Sequence, residues 1–97
     1  MVQTVKSIRL PSGQQGLFLE RPHALSRIFF KIVAILPQTT NYMSKISFDD
    51  PLFLEYYTLL GTNTYFEAEG DGIFQGNIFV SNQSTVNILY SITEILI

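Results

Sequence analysis

Apolar and polar residues alternate with a period of two through most of the C-terminal third of the chain. Over residues 86–95, Val86, Ile88, Tyr90 and Ile92 occupy every second position, and polar residues predominate between them. Residues 64–69 and 74–80 have the same period, which places alternate side chains on opposite faces of a β-strand. The glycines of 70–72 supply the backbone freedom of a tight hairpin. The pattern therefore predicts a three-stranded meander.

Turn-forming residues separate the β-branched and aromatic runs along the whole chain. Clusters rich in Gly, Pro, Asn and Ser lie at residues 11–13, 37–41, 61–63, 70–72 and 81–84. Short strands at such spacing are typical of a sandwich or barrel. We therefore predict an all-β fold, a single antiparallel β-sandwich spanning residues 1–97, with room for one short helix.

Two segments leave the choice between strand and helix open. In residues 23–36, apolar side chains recur at helical spacing behind Pro22, but the run is dominated by β-branched and aromatic residues, which favours a strand. In residues 51–60, Asp49 or Asp50 would cap a helix that begins at Pro51, whereas the tyrosines in the segment prefer a strand.

Composition indicates a protein that is completed by a partner. The chain has 97 residues, no cysteine, 46% hydrophobic residues and only 14% charged residues. A domain of this size is marginally stable without covalent staples, and a surface poor in charge favours a permanent interface. The sequence therefore predicts a homo-oligomer.

Membrane insertion and secretion have little support in the sequence. The longest uncharged apolar stretch runs only from Ile32 to Leu36, far short of the roughly 20 residues of a spanning helix. The N-terminus lacks the apolar core of a signal peptide. We therefore expect no membrane partner and a cytoplasmic location, unless the protein belongs to a virion. Without secretion, the glycosylation sequon at Asn82 is interpreted as a turn.

Residues suited to catalysis or cofactor binding are scarce. His23 is the one histidine, and it has no cysteine or carboxylate beside it in sequence. No phosphate-binding glycine motif is present. Residues 67–72 resemble the start of a calcium loop, but Ile78 stands where the bidentate glutamate would be needed. We therefore predict no enzyme, no cofactor and no metal site, and interpret the acidic cluster as a solvated edge or an interface patch.

Charge is divided between the two halves of the sequence. Residues 1–45 carry six basic residues and one acid, a formal charge of +5, whereas residues 46–97 carry seven acids and no lysine or arginine, −7. Complementary surfaces of this kind would join identical copies head to tail, unless strands of both halves interleave in space. Six scattered cations at a pI of about 5.1 make a weak footprint for nucleic acid, so none is expected as a partner.

Candidate interface residues follow from charge and aromatic content. Tyrosines bury a large rigid ring at subunit contacts while the hydroxyl finds a partner. The candidates are drawn from the tyrosines, the acidic cluster and the basic half, and comprise Tyr56, Tyr57, Tyr65, Glu67, Glu69, Arg21 and Arg27.

Residues 66–80, together with the terminal run Thr93-Glu94-Ile95-Leu96-Ile97, resemble the closing strands of small jelly-roll virion accessory proteins of tailed phages. The resemblance covers about the last third of the chain. It implies a jelly-roll-like sandwich that forms homo-oligomers, often trimers, and decorates or cements a capsid or tail by binding structural proteins such as the capsid protein. The alternative from the residues themselves is a carbohydrate- or receptor-binding module in which exposed tyrosines stack on sugars.

Overall fold

The computed structural model describes residues 2–21, 25–48 and 56–96, and every regular element in these ranges is a β-strand. The strands are β1 (Val2–Leu10), β2 (Gln15–Leu19), β3 (Ser26–Phe48), β4 (Tyr56–Phe74), β5 (Ile78–Asn82) and β6 (Ile88–Leu96). All their pairings are antiparallel. Over these ranges there is no helix that is long and apolar enough to cross a membrane.

Two long strands, β3 and β4, pass through both layers of a sandwich. The first sheet has the order β1, β6, the early half of β3 (residues 26–35) and the late half of β4 (65–74). The second sheet has the order β2, β5, the late half of β3 (40–48) and the early half of β4 (56–63). This interleaved arrangement is jelly-roll-like and confirms the predicted all-β class.

The strands β3 and β4 change sheets together at a break in their pairing. Ile35 pairs with Tyr65, but the next pair is Thr40 with Asn63, so extra residues of β3 are accommodated there. Pro37 lies in this break, where its missing N–H removes no ladder hydrogen bond. The predicted turn clusters at 37–41 and 61–63 are therefore corners within long strands, rather than ends of short ones.

The core lies between the two sheets and follows the alternation of the strands. In the first sheet, β3 contributes Ile28, Phe30 and Ile32, each at most 1% exposed, and β6 contributes buried residues at every second position from Ile88 to Ile92. The second sheet covers them with the inward-facing residues Phe18, Ile46, Ile78 and Val80. The prediction of a strand for residues 23–36 is confirmed from Ser26 onward, and residues 56–60 of the second ambiguous segment belong to β4.

Tyr90 carries a polar group into the centre of this core. Its ring makes edge contacts with Phe18 and Phe66, and its hydroxyl lies 2.6 Å from the hydroxyl of Ser44. Burial raises the pKa of Tyr90 to about 12, although the Ser44 hydrogen bond opposes the shift. The pair joins the two sheets, because Tyr90 comes from β6 and Ser44 from the late half of β3.

The predicted hairpin at residues 70–72 is wrong, because β4 continues through it to Phe74. Gly70 is required for another reason: a Cβ atom there would overlap the buried ring of Phe30 on the paired strand. The turn follows later, where Gly76 has a φ of 77°. The predicted meander is also wrong, since β5 pairs with β2 and β3, and β6 pairs with β1 and β3.

Asn82 holds together the turns at one end of the sandwich. Its side chain is fully buried; Nδ2 donates to the carbonyls of Leu10 and Val86, and Oδ1 accepts the N–H of Ser84. Its backbone pairs with Gly13 and Gln14 in the turn after β1. A side-chain nitrogen used in this way cannot carry a glycan, so the sequon is a structural turn.

Candidate interaction surface

The outer face of the first sheet is the surface on which most of the predicted interface residues meet. The strand registers set its side chains in transverse rows, and one such row runs Val5, Thr93, Lys31, Glu69. The neighbouring row runs Ser7, Ser91, Val33, Glu67. The opposite face of the same sheet points into the core, so these outward positions are accessible on all four strands.

Four of the seven predicted interface residues lie on this outer face. Arg27 projects from β3, and Tyr65, Glu67 and Glu69 project from alternate positions of β4, all of them exposed. The period of two in residues 64–69 was the signal that placed the three β4 residues on one face. The backbones of Tyr56 and Tyr57 lie in the second-sheet half of β4, and their side chains lie outside the described residues.

Two ion pairs join β3 and β4 on this face. Lys31 Nζ lies 3.2 Å from Glu67 Oε2, and Arg27 Nη2 lies 3.6 Å from Asp71 Oδ2. The Tyr65 hydroxyl donates to the Glu67 carboxylate. The hydrogen bond from Tyr65, followed by the one from Lys31, lowers the pKa of Glu67. The pKa of Tyr65 is raised, chiefly because its proton is held by the Glu67 carboxylate. Glu67 is therefore ionised at neutral pH and orients the tyrosine ring beside it.

Exposed apolar side chains share this face with the charged groups. Val5 is 62% exposed, Ile35 51% and Ile73 67%, and all three share the outer face with the half-exposed ring of Tyr65. Exposed apolar residues interspersed with oriented polar groups are common at protein interfaces. Val5 and Ile73 could not be identified from the sequence, because nothing local shows that their outward positions stay uncovered.

The first sheet ends in two strands that have no further partner among the described residues. On one side β1 pairs only with β6, and on the other residues 65–74 of β4 pair only with β3. The β1 edge carries Lys6 and Arg9 and no acid, whereas the β4 edge carries Glu67, Glu69 and Asp71 and no base. The sheet is thus basic at one edge and acidic at the other.

This arrangement refines the charge separation seen in the sequence. Basic β3 lies directly beside acidic β4, so Arg27 and Lys31 offset part of the acidic charge within one molecule. The halves therefore interleave, as the more conservative interpretation of the sequence proposed. The asymmetry that survives is the one between the β1 and β4 edges.

Arg21 is an interface candidate that the structure places inside the molecule. Its side chain is 4% exposed and its Nε contacts Glu94 Oε2, an atom that lacks a well-aligned hydrogen bond among the described residues. Arg21 also donates from Nη1 to the carbonyl of Gly76, and its backbone N–H binds Asn77 Oδ1. Within one molecule, Arg21 therefore connects the segment that follows β2 to the turn after β4 and to β6.

An open cleft of about 290 Å³ lies at the end of the first sheet next to the β3 corner. Its walls are mostly apolar, from Ile35, Leu36 and Pro37 on one side and the start of β6 on the other. Arg9 and Asn87 supply the polar groups. The volume is at the lower limit of ordinary small-molecule sites, roughly 300–1,000 Å³.

The acidic cluster forms part of a strand and not of a loop. Glu67, Glu69 and Asp71 project at alternate positions of β4, which separates neighbouring carboxylates by about 7 Å along the strand. Across the described ranges, no three His, Cys, Asp or Glu side chains group closely enough to hold a metal ion. His23, Asp49 and Asp50 lie outside the described residues.

Comparison with known proteins relates the fold to several solved structures. No protein-family model matches the sequence, and no curated protein sequence is similar to it. The chain is similar in structure to one from the acidic stable capsid structure of Helicobacter pylori bacteriophage KHP30, with a TM-score of 0.67 and 9% identity. That match covers 100% of this chain and 89% of the phage chain.

Two further structures support the same architecture. A de novo designed double-stranded β-helix matches with a TM-score of 0.53 and 13% identity, over 95% of this chain and 99% of the design. The CBM35 module from Cellvibrio japonicus Abf62 matches with a TM-score of 0.56 and 17% identity, over 88% of this chain and 67% of the module. At these identities the matches show the jelly-roll-like fold, which agrees with the fold implied by the resemblance of the last third.

Proposed function

We propose that the protein is a non-catalytic structural component of a phage virion, which binds as a homo-oligomer to the capsid or tail and decorates or cements it. The observation that carries this proposal is the structural match to a chain of a phage capsid along the full length of this chain. The match covers 100% of this chain, rather than a single supersecondary unit.

The outer face of the first sheet is the surface that supports an assembly role. It combines exposed Val5, Ile35 and Ile73 with oriented ionic side chains, and both of its edge strands are open among the described residues. A structural protein needs such a surface, because shell contacts form by burying apolar area within a polar rim. A trimer is the oligomer that the family resemblance favours, and nucleic acid and membranes are not part of the proposal.

The test is co-sedimentation of the purified protein with assembled shells and, separately, with unassembled shell protein of the phage that encodes it. We expect saturable binding to the assembled shells and none to the free subunits, since decoration sites are completed by neighbouring subunits. Light scattering of the protein alone should give a stable oligomer at micromolar concentration. A protein that is monomeric and does not bind assembled shells would contradict the proposal.

The second candidate function is a carbohydrate-binding module. It is favoured by the match to the CBM35 module and by the cleft, in which Arg9 and Asn87 lie beside apolar walls that suit a sugar ring. A glycan array probes it directly: binding that is lost on Asn87→Ala would support a sugar site in the cleft. An array without signal removes this candidate and leaves the structural role intact.

A further inference from the structure

The two open edges of the first sheet match one another in direction, charge and exposed apolar side chains. The strand order β1, β6, β3, β4 alternates in direction, so β1 of one molecule would lie antiparallel to β4 of the next in a continued sheet. Continuation also keeps the outer faces of both molecules on the same side. Open edges of this kind are templates for pairing with another chain.

Charge selects the partner for each edge. Two β1 edges would bring Lys6 and Arg9 of both copies together, and two β4 edges would oppose three acids with three acids. Pairing β1 with β4 instead sets basic against acidic groups. Arg9 and Glu69 make no ion pair within the described residues, so both are available for an intermolecular one.

One register places these features together. If Arg9 is set opposite Glu69 in an antiparallel pair, Ser7 falls opposite Asp71 and Val5 opposite Ile73, all on the outer face. Val5 and Ile73 are 62% and 67% exposed in the isolated chain. Directly opposed residues have Cβ atoms about 4.5–5.5 Å apart, so the two apolar side chains would cover one another.

We propose that copies of this chain associate head to tail by pairing the β1 edge of one copy with the late half of β4 of the next, in the register that opposes Arg9 to Glu69 and Val5 to Ile73. The contact is heterologous, so its rotation per subunit sets whether a closed ring or an open chain results. This inference rests on the proposed function, which requires copies of the protein to self-associate, and it identifies the surface through which they would do so.

Charge reversal tests the ion pair. Arg9→Glu and Glu69→Arg each place like charges across the contact, and each should weaken self-association at least about tenfold in sedimentation velocity. The double variant R9E/E69R restores opposite charges between identical copies and should associate like the wild type. Circular dichroism and the thermal midpoint confirm that each variant is folded. The proposal is overturned if neither single variant weakens self-association, or if the double variant does not restore it.

Cysteine cross-linking tests the register, and the absence of native cysteine makes the result unambiguous. The variant V5C/I73C should form disulfide-linked multimers on mild oxidation, whereas V5C/E67C, whose positions lie six residues out of register, should not. Equal cross-linking by both variants, or none by V5C/I73C in a protein that still oligomerises, overturns the edge pairing alone. Binding to assembled shells tests the proposed function independently of either result.

Discussion

Replacing Asn82 by alanine should destabilise the protein strongly, although the sequence around it is that of an ordinary polar turn. The change removes the donors to the carbonyls of Leu10 and Val86 and the acceptor for the N–H of Ser84. Each of these bonds contributes about 1 kcal/mol net, and the groups left behind are buried or partly buried. We therefore expect a loss of about 3 kcal/mol in the free energy of unfolding.

Thermal unfolding followed by circular dichroism measures this loss. For a domain of this size, 1 kcal/mol shifts the midpoint by about 4–8 °C, so N82A should unfold about 12–24 °C lower. The matched control is N87A at the same end of the sandwich, where Asn87 is exposed and accepts one bond from Ser12. That variant should stay within about 0.5 kcal/mol of the wild type.

The isosteric variant N82D separates hydrogen bonding from packing. Its carboxylate would face the two carbonyl oxygens, so its folded-state pKa should be raised above that of an unfolded aspartate. A raised pKa means that stability is present at low pH and lost as pH rises through the folded-state pKa. N82D should therefore approach N82A in stability at pH 4 and fall further below it at pH 7. An N82A midpoint equal to that of the wild type would show that these three hydrogen bonds contribute nothing to stability.

Three further changes probe other parts of the fold. R21M leaves Glu94 buried without its cation and should lower the free energy of unfolding, measured with denaturant, by about 3–5 kcal/mol, whereas R21M/E94M should recover most of that loss. An equal loss in both variants would show that packing, and not charge, dominates. G70A forces a methyl group into a buried ring and should cost about 1–3 kcal/mol, while G72A, where a Cβ meets its nearest neighbour at 3.2 Å, should cost less. The pKa of Tyr90 is about 12 in the folded state against an ordinary value of 10, so the unfolded chain loses this proton at a lower pH than the folded one. The free energy of unfolding should therefore fall between pH 10 and 12. Y90F should fall less steeply over that interval, and parallel curves would contradict the assigned burial.

Local alternation predicted some of the strands, because each buried face leaves its own period in the sequence, but the strand predicted over residues 74–80 is interrupted by the turn at residues 75–77. The alternation over residues 86–95 predicted β6, which is a central strand between β1 and β3. The β-branched run after Arg27 predicted the buried half of β3. The glycines at 70–72 were misinterpreted, since a glycine needed for close approach of Phe30 looks the same in sequence as one needed for a turn. Only the pairing partner distinguishes the two.

The candidate surface could be predicted in part. Glu67, Glu69 and Tyr65 share a face by simple alternation, and Arg27 joins them through the β3–β4 register. That β1 is an edge, which leaves Val5 exposed, depends on contacts between residues far apart in the chain. Arg21 illustrates the converse, because a basic residue in a polar stretch became a buried ion-pair partner through contacts with β6.

Cryo-electron microscopy of shells mixed with the purified protein would show whether this jelly-roll-like chain is built into a virion. We expect added density of the size and shape of this sandwich at symmetry-related positions on the shell, with the first-sheet edges of adjacent copies in contact. Shells that remain bare at saturating protein concentration would contradict the claim.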